Sequence, residues 1–529
     1  MLRLFFIVCW AAAMLASGPV SAESTKARNV ILFIGDGMGP QQLGLLSMYA
    51  HLAEECEVPD RLPAIERVIQ GGTLALVRTD TSGLVADSAA AATQLATGKP
   101  AGSEMIGIDA EGNAAETVVE RAKRLGKSAG LVTDTRITHA TPAAFAAHQR
   151  HRTMENEIAV DILENRVDVL MGGGLRNWVP ADAASEGPTQ DSVRQLTGWT
   201  GRITSKRQDN RNLLLEARQA GYSLVFDRES MAAGTPGPLL GLFAVSEMQD
   251  AMTERAQRDS HGRTQPTLAE MTAAAIDALS VDPDGFFLLI EGGQIDWAGH
   301  NNDAGTLLHE LLRFDRAVRV AYEWAKNRDD TLVVVTADHE TGGFGFSYSG
   351  TGIPNPKPLP GKAFAGELHR PLFNFGSRES LALIYDQKQS FFQVFMAFDA
   401  LDEAEQTPSS LAKLANAALP VDITEAEAER ILRRTENRQY VEGHRYLGTE
   451  TVPDIYGGIP EFFVYGENLR MNNLGHILGP RQSITWSTGS HTSTPVPLAA
   501  CGPAEAQAKF HGLMHATEVG QALMEIVSE

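Results

Sequence analysis

The feature that most constrains the fold of this chain is a series of short apolar runs separated by longer stretches with helical patterns. The runs cover residues 30–34, 73–77, 129–133, 167–171, 286–290, 332–336 and 484–487. Continuous runs of this kind, with helices between them, are typical of a parallel sheet that is covered on both faces. The sequence therefore predicts an α/β fold with a parallel-rich central sheet sandwiched by helices.

Residues that follow these runs are the first candidates for a functional site. In open α/β sheets, ligands bind beyond the carboxyl ends of the strands. Asp36 follows the first run within a Gly-rich turn, and His139 and Thr141 follow the third run. Residues 142–151 have a helical pattern, which would let Arg152 reach the same edge. An arginine placed there can hold a phosphate group in a planar, bidentate grip.

One serine stands at the head of an alanine run, within residues 85–93. Asp87 is a good N-cap residue and Gly98 is a good helix terminator, so Ser88 is predicted to lie in the first turn of a helix. A helix start carries free N–H groups and the positive end of the helix dipole, which together attract anions. Ser88 is therefore either a nucleophile facing a phosphate or part of a simple capping pair.

Acidic residues and histidines with metal-ligand spacing follow the later runs. Asp296 and His300 are four residues apart, so on a helix they share one face, which is a common way to hold zinc. Asp338 and His339 are adjacent at a predicted strand end, and His491 follows the last run. Each pair taken alone also fits a surface ion pair or a turn, but together the groups indicate a metal centre.

The first 22 residues have the pattern of a secretory signal peptide. Arg3 is followed by an apolar stretch over residues 4–15, and residues 20–22 form a small-residue cleavage site. We expect the mature chain to begin near Glu23 and to be periplasmic or secreted, without stable membrane insertion. Cys56 and Cys501 then either form a disulfide or remain two buried thiols.

The charge balance excludes one class of partner. The chain has a formal net charge of -21 and no basic tract, which argues against nucleic acid. An acidic protein also repels anions at long range. If the substrate is an anion, its site must therefore create local positive charge, and bound metal ions do this well.

Taken together, these motifs resemble those of the alkaline phosphatase family. They occur in the order found in that family, and the resemblance covers residues 28–345 and again residues 483–529. The matching motifs are GDGMG at 35–39, DSAAAAT at 87–93, HATPAA at 139–144 with Arg152, EGGQIDWAGH at 291–300, TADHETGG at 336–343 and STGSH at 487–491.

The resemblance implies a secreted, metal-dependent phosphomonoesterase that acts through a phosphoserine and forms a homodimer. Ser88 would be the nucleophile and Arg152 the phosphate clamp. Two Zn²⁺ and one Mg²⁺ per chain are implied. The first zinc would be held by Asp296, His300 and His491, the second by Asp36, Asp338 and His339, and the magnesium by Asp36, Thr141 and Glu291.

Two positions depart from the best-known enterobacterial pattern of the family. His139 replaces an aspartate at the magnesium site, and Trp297 replaces a lysine. The same pair resembles marine and cold-adapted bacterial members. A neutral imidazole binds magnesium less well than a carboxylate does, because hard cations prefer oxygen. His139 would then contact the ion through water, or the third site would be weak or hold zinc.

Residues 344–482 do not match the core motifs and resemble the large insertions of the family. We expect a single domain over residues 23–529, with 344–482 as an insertion that caps a dimer. This segment has a proline-rich run at 354–360, an aromatic run at 391–398 and an amphipathic stretch near 424–434. Three alternatives remain open: a phosphodiesterase, a sulfatase of the same superfamily, and a secreted protein that captures phosphate without turnover.

Overall fold

The computed structural model describes residues 26–234, 237–258, 260 and 262–529. The predicted signal peptide, residues 1–22, lies outside the described residues. Within these ranges no helix is both long enough and apolar enough to cross a membrane.

The described chain alternates strands and helices over most of its length. The strands are β1 (Asn29–Gly35), β2 (Thr73–Arg78), β3 (Ser128–Arg136), β4 (Val169–Gly173), β5 (Ser223–Val225), β6 (Leu239–Leu242), β7 (Phe286–Gly292), β8 (Thr331–Thr336), β9 (Glu340–Thr341), β10 (Gly345–Phe346), β11 (Lys357–Pro358), β12 (Leu368–His369), β13 (Arg434–Glu436), β14 (Thr451–Pro453), β15 (Ile484–Thr485), β16 (His491–Thr492), β17 (Val496–Cys501) and β18 (Gly512–His515). The helices are α1 (Pro40–Leu52), α2 (Ala64–Gly71), α3 (Ser88–Thr97), α4 (Val118–Arg124), α5 (Ala140–Ala144), α6 (Glu155–Glu164), α7 (Pro188–Thr197), α8 (Leu213–Gln219), α9 (Arg228–Ala232), α10 (Ala251–Gln257), α11 (Leu268–Leu279), α12 (Gln294–His300), α13 (Ala304–Ala325), α14 (Glu379–Tyr385), α15 (Phe391–Asp399), α16 (Pro408–Ala418), α17 (Glu425–Leu432), α18 (Leu469–Gln482), α19 (Ala504–Gln507) and α20 (Ala516–Ser528).

The main sheet has ten strands in the order β18-β2-β17-β8-β1-β7-β3-β4-β6-β5. Pairing is parallel from β8 through β1, β7, β3, β4 and β6 to β5, and also between β18 and β2. Strand β17 is antiparallel to both of its neighbours, β2 and β8. The prediction of a parallel-rich central sheet is therefore confirmed, and β1 lies at its middle.

The predicted run at residues 484–487 forms a strand in part, but its expected place in the main sheet is wrong. Only β15 forms there, and it pairs with β10 outside the main sheet. The sheet strand of this region is β17, which follows His491 instead of preceding it. Because β17 runs opposite to the other strands, its first residue lies at the edge where those strands end. His491, which precedes β17 in the chain, therefore lies at the same edge as the residues that follow the parallel strands.

Helices cover both faces of the sheet, as predicted. Phe286 and Phe287 are consecutive in β7 and therefore point to opposite faces. The Phe286 ring packs against Trp324 of α13, with ring centroids 5.9 Å apart. The Phe287 ring stacks on Phe145, which ends α5, also at 5.9 Å. Helices α13 and α5 thus belong to opposite layers, and α3 packs beside α5.

The two cysteines of the described residues are not bonded to each other. Cys56 and Cys501 are both free and partly buried. The Val58 N–H donates a hydrogen bond to the Cys56 sulfur at 3.3 Å. Of the two alternatives that the sequence left open, a disulfide or two thiols, the structure has two separate thiols.

The segment 344–482 has a hydrophobic core of its own. Phe391, Phe395 and Phe398 of α15 are buried against α16, α17 and α18, whereas Phe392 is half exposed. The aromatic run therefore finds its partner mainly within the segment. The predicted amphipathic stretch near 424–434 forms α17, which a capping box at Thr424 begins.

Candidate active site

Helix α3 begins at Ser88 because Asp87 caps it, as the sequence predicts. The Ala89 N–H donates a hydrogen bond to the Asp87 carboxylate at 3.0 Å. Gly98 ends the helix with a φ of 68°, in the left-handed region that favours glycine. Ser88 is only 1% exposed, and its Oγ lies 3.2 Å from His339 Nε2. The serine hydroxyl is therefore held at a helix start and beside a histidine.

Arg152 reaches the site from a turn and not from the predicted helix. The expected helix over 142–151 is wrong, because α5 ends at Ala144. The Arg152 backbone N–H donates to the Glu104 carbonyl at 2.8 Å, which anchors the turn. Its Nη1 donates to Asp87 Oδ2 at 3.1 Å. The carboxylate that caps α3 therefore also orients the arginine.

A first acid and histidine cluster forms where β1 and β8 end. His339 Nε2 lies 3.3 Å from Asp36 Oδ1 and 3.3 Å from Asp338 Oδ2. The N–H groups of Gly37 and His339 donate to Asp338 Oδ1, at 3.2 Å and 3.0 Å. These bonds fix the Asp338 carboxylate and leave its other oxygen facing His339.

A second cluster joins α12 to the strand that follows residue 490. His300 Nε2 lies 3.2 Å from Asp296 Oδ2, and His491 Nε2 lies 3.5 Å from Asp296 Oδ1. His300 Nδ1 hydrogen-bonds the Gly489 carbonyl and His491 Nδ1 the Ala86 carbonyl, each at 2.8 Å. The backbone carbonyls at Nδ1 orient both rings so that each Nε2 faces Asp296, which is the atom that a metal ligand would offer.

The two clusters are continuous with each other. The His339 and His491 rings stack with centroids 3.6 Å apart, and each offers a ring nitrogen within 4.8 Å of an Asp296 carboxylate oxygen. Thr341, which the sequence analysis did not single out, donates its hydroxyl to Asp296 Oδ1 at 2.5 Å. A threonine after an Asp-His pair carries no distinctive spacing, so no sequence signal identified this role.

A third cluster contains Asp36, His139 and Glu291, all buried. His139 Nδ1 lies 3.8 Å from Glu291 Oε1. The other carboxylate oxygen of Glu291 accepts from Thr133 at 2.5 Å and from Thr135 at 3.2 Å. Neither threonine was a candidate from the sequence. The His139 and Trp297 rings meet edge to face at 6.0 Å.

Several oxygen and nitrogen atoms of these clusters are buried without a hydrogen-bond partner. Buried polar atoms are normally paired, because leaving one unpaired costs about 1–3 kcal/mol. The unpaired atoms among the described residues of the site are both oxygens of Asp36, His139 Nδ1, Thr141 Oγ1, Glu291 Oε1 and Asp338 Oδ2. The carboxylates among them, Asp36, Glu291 and Asp338, belong to the clusters, and carboxylate oxygens are ligands that divalent cations bind.

The charges of the site lead to the same conclusion. Burial raises the pKa of Asp36 well above its usual value, and the Asp338 and Asp296 carboxylates raise it further. Burial likewise raises the pKa of Asp338. Burial would also raise the pKa of Asp296, but His300 and His491 hold it well below its usual value. Packing several acids together without cations is unfavourable, so the arrangement favours the binding of added positive charge.

The model of the family described as "Alkaline phosphatase" matches residues 27–439 of this chain. The chain belongs to the alkaline phosphatase family. A curated relative, "Alkaline phosphatase 3" of Bacillus subtilis (strain 168), is 31% identical over 524 residues, covering 96% of this chain and 92% of the relative. As a family member, this chain is a phosphoric monoester hydrolase, and the prediction of that enzyme class is confirmed.

Solved structures of other alkaline phosphatases share the fold. The cold-active enzyme of Shewanella sp. is 25% identical with a TM-score of 0.66, covering 95% of this chain and 100% of that one. The Thermus thermophilus enzyme is 26% identical with a TM-score of 0.71, covering 94% and 91% of the two chains. Both likenesses cover nearly the whole of this chain.

The segment 344–482 reaches the site. The Asn472 side chain donates to the His300 carbonyl at 2.6 Å and to Asn302 Oδ1 at 2.9 Å. The Tyr465 ring lies edge to face against the His300 ring, with centroids 4.6 Å apart. Both residues lie inside a region that matches none of the alkaline phosphatase motifs quoted above, so no pattern marked them as candidates.

Proposed function

We propose that this chain hydrolyses phosphate monoesters to an alcohol and inorganic phosphate through a phosphoserine on Ser88. The single observation that carries the proposal is the Ser88 hydroxyl, which lies at the start of α3 and 3.2 Å from His339 Nε2. A hydroxyl beside an acid and histidine cluster, at a helix end that attracts anions, suits attack on a phosphate.

The residues present fit two zinc ions and one magnesium ion per chain. We assign the first zinc to Asp296, His300 and His491, the second to Asp36, Asp338 and His339, and the magnesium to Asp36, Thr141 and Glu291. The unpaired atoms of Asp36, Thr141, Glu291 and Asp338 support the second zinc and the magnesium. The approach of His300 Nε2 and His491 Nε2 to Asp296 supports the first zinc. Bound there, such ions supply the positive charge that stabilises the attacking and departing oxygens of an in-line displacement.

His139 and Trp297 make the third site different from one built with an additional carboxylate. Burial lowers the pKa of His139, so the imidazole is neutral at alkaline pH and adds no negative charge. Nitrogen suits zinc better than magnesium. We infer that His139 favours either a weakly held magnesium or a zinc in the third site.

The protein groups then act in two steps. Ser88 Oγ attacks the phosphorus and displaces the alcohol, which leaves the phosphoryl group on the serine. Water attacks the same phosphorus, breaks the bond to Ser88 Oγ and releases inorganic phosphate. Arg152 Nη1 donates to Asp87, and its Nη2 lies 3.4 Å from His139 Nε2. The remaining N–H groups of the guanidinium can therefore donate to two phosphoryl oxygens when the ligand binds.

A panel of chromogenic esters separates this activity from the alternatives. We expect p-nitrophenyl phosphate to be hydrolysed much faster than bis(p-nitrophenyl) phosphate or p-nitrophenyl sulfate, because Arg152 and the clusters are arranged around a dianion. Incubation with EDTA should abolish the activity, and Zn²⁺ with Mg²⁺ should restore it. Faster hydrolysis of the diester or the sulfate, or phosphate binding without turnover, would replace the proposal with the corresponding alternative.

The zinc assignment is tested by His300→Ala and His491→Ala. A zinc site of this kind has three protein ligands, so loss of either histidine should lower the zinc content by about one ion per chain. Elemental analysis of dialysed protein measures the metal directly, independently of activity. His511→Ala is the matched control, because His511 is an exposed histidine outside the clusters. Unchanged zinc in both cluster variants would contradict the assignment.

We also propose that the chain is exported and dimeric. Export is supported by the signal pattern in residues 1–22. Dimerisation is supported by apolar surface that the described chain leaves uncovered in the segment 344–482. Exposed there are Tyr348, Phe364, Leu368, Leu372 and Phe375, and apolar surface of this kind is typical of protein contacts.

A further inference from the structure

The exposure of the side chains shows on which side the site opens. Asp36 and His339 are fully buried, with side-chain exposures of 0%. The side chains of His491, His300 and Arg152 are 10%, 15% and 23% exposed. The path from Ser88 to solvent therefore passes these three residues.

This increase in side-chain exposure indicates where the alcohol part of a bound ester would lie. In an in-line displacement the departing oxygen is opposite the attacking oxygen. With Ser88 at the buried end, the departing group must lie toward the exposed end, between Arg152 and His300. Groups that border this opening are in a position to contact the alcohol.

Tyr465 stands at this opening. Its ring meets the His300 ring edge to face, at a centroid distance of 4.6 Å and an interplanar angle of 69°. The phenol is also close enough to Arg152 for the two groups to interact electrostatically. Among the residues that the structure describes, no group forms a hydrogen bond with the Tyr465 hydroxyl.

The loop that carries Tyr465 is fastened to the site. Phe462 carbonyl accepts hydrogen bonds from the Thr488 hydroxyl at 2.8 Å and from the Gly489 N–H at 3.2 Å. The Tyr446 ring packs edge to face against the Tyr465 ring at 5.1 Å. The loop of Tyr465 is thus held by Gly489, whose carbonyl also hydrogen-bonds His300 Nδ1.

We propose that the Tyr465 ring contacts the leaving group of the ester and favours aromatic leaving groups over small alkyl ones. This inference rests on the proposed function, because it needs a phosphoryl group between Ser88 and Arg152. An aromatic ring offers a large, rigid apolar surface, and a second ring packs on it better than a methyl group does. The segment 344–482 thereby supplies a specificity residue to a site whose proposed nucleophile, arginine and metal ligands lie outside it.

Binding of two non-hydrolysable phosphonates tests the inference. We expect Tyr465→Ala to weaken benzylphosphonate binding about fivefold while changing methylphosphonate and inorganic phosphate less than about twofold. Tyr465→Phe should restore the preference for the benzyl compound, because it keeps the ring. In turnover assays, the KM for phenyl phosphate should rise in Tyr465→Ala relative to that for methyl phosphate.

Tyr440→Ala is the matched control, since Tyr440 is an exposed tyrosine of the same segment. A wild-type ratio of benzylphosphonate to methylphosphonate affinity in Tyr465→Ala would overturn the inference. Equal weakening of both phosphonates and phosphate, with loss of bound zinc, would also overturn it, because Tyr465 would then only support His300. Failure of the proposed function is distinct, since the wild-type protein itself would not hydrolyse phosphate monoesters.

Discussion

Ser88→Ala is expected to lower the rate of phosphate monoester hydrolysis by roughly four orders of magnitude, because it removes the proposed nucleophile. Helix α3 should remain intact, since the cap is the Asp87 carboxylate and not the serine. Inorganic phosphate should still bind as a competitive ligand in the variant, because Arg152 and the three clusters are unchanged. Steady-state kinetics and phosphate titration measure the two effects separately.

The covalent step can be examined in the same experiment. Quenching the wild-type protein at low pH with substrate present should leave a phosphoryl group on the peptide that contains Ser88, detectable by mass spectrometry. Ser82→Ala provides the control, since Ser82 is an exposed serine on the loop that precedes α3. Full activity in Ser88→Ala, or a phosphoryl group on another residue, would refute the assignment of the nucleophile.

Asp36→Asn is expected to have opposite effects on activity and on the stability of the metal-free protein. Asp36 belongs to two of the clusters, and both of its oxygens lack a hydrogen-bond partner. Loss of even an outer-shell partner typically costs 10- to 100-fold, so loss of a shared ligand should cost at least about 100-fold in activity. Without metal, however, the neutral side chain removes one of several buried negative charges.

The stability effect has a defined dependence on pH. Burial and the neighbouring carboxylates raise the pKa of Asp36 in the folded, metal-free protein. The folded state therefore holds a proton that the unfolded chain releases, so stability is present at low pH and is lost as the pH rises through the raised pKa. In EDTA-treated samples the melting temperature of Asp36→Asn should exceed that of the wild-type protein increasingly toward alkaline pH.

Differential scanning fluorimetry over a pH series, with and without Zn²⁺ and Mg²⁺, measures this dependence. Asp329→Asn is the matched control, since Asp329 is an exposed aspartate outside the clusters. With metals restored, the order of stability should reverse, because binding stabilises the wild-type protein more. An Asp36→Asn protein that is less stable than wild type in EDTA at every pH would contradict this account of the buried charges.

The sequence was most informative where local chemistry alone determines structure. Asp87 and Gly98 are a strong start and a strong stop for α3, and the predicted helix bounds are confirmed. The runs that became β1, β7 and β8 are continuous and apolar, so the position of Asp36 and of the Asp338-His339 pair at the sheet edge followed directly.

Prediction failed where pairing between distant segments decides the structure. β17 contains Pro497, which lacks an N–H and argues against an interior strand. The strand tolerates it because Pro497 aligns with Leu76 of β2, while pairing with β8 begins only at Ala499. Tyr465 and Asn472 reach His300 through the folding of the segment 344–482, which leaves no trace in local spacing.

The carboxylate of Asp87 has a consequence for how such a protein can evolve. One of its oxygens caps the helix that carries Ser88 and accepts from Arg152, and the other accepts the Glu104 N–H at 2.8 Å. A change at this position would therefore alter foldability and substrate capture at once. Selection for stable folding and selection for turnover therefore act on the same side chain. We expect substitutions at position 87 not to be neutral, even though Asp87 itself takes no part in bond making.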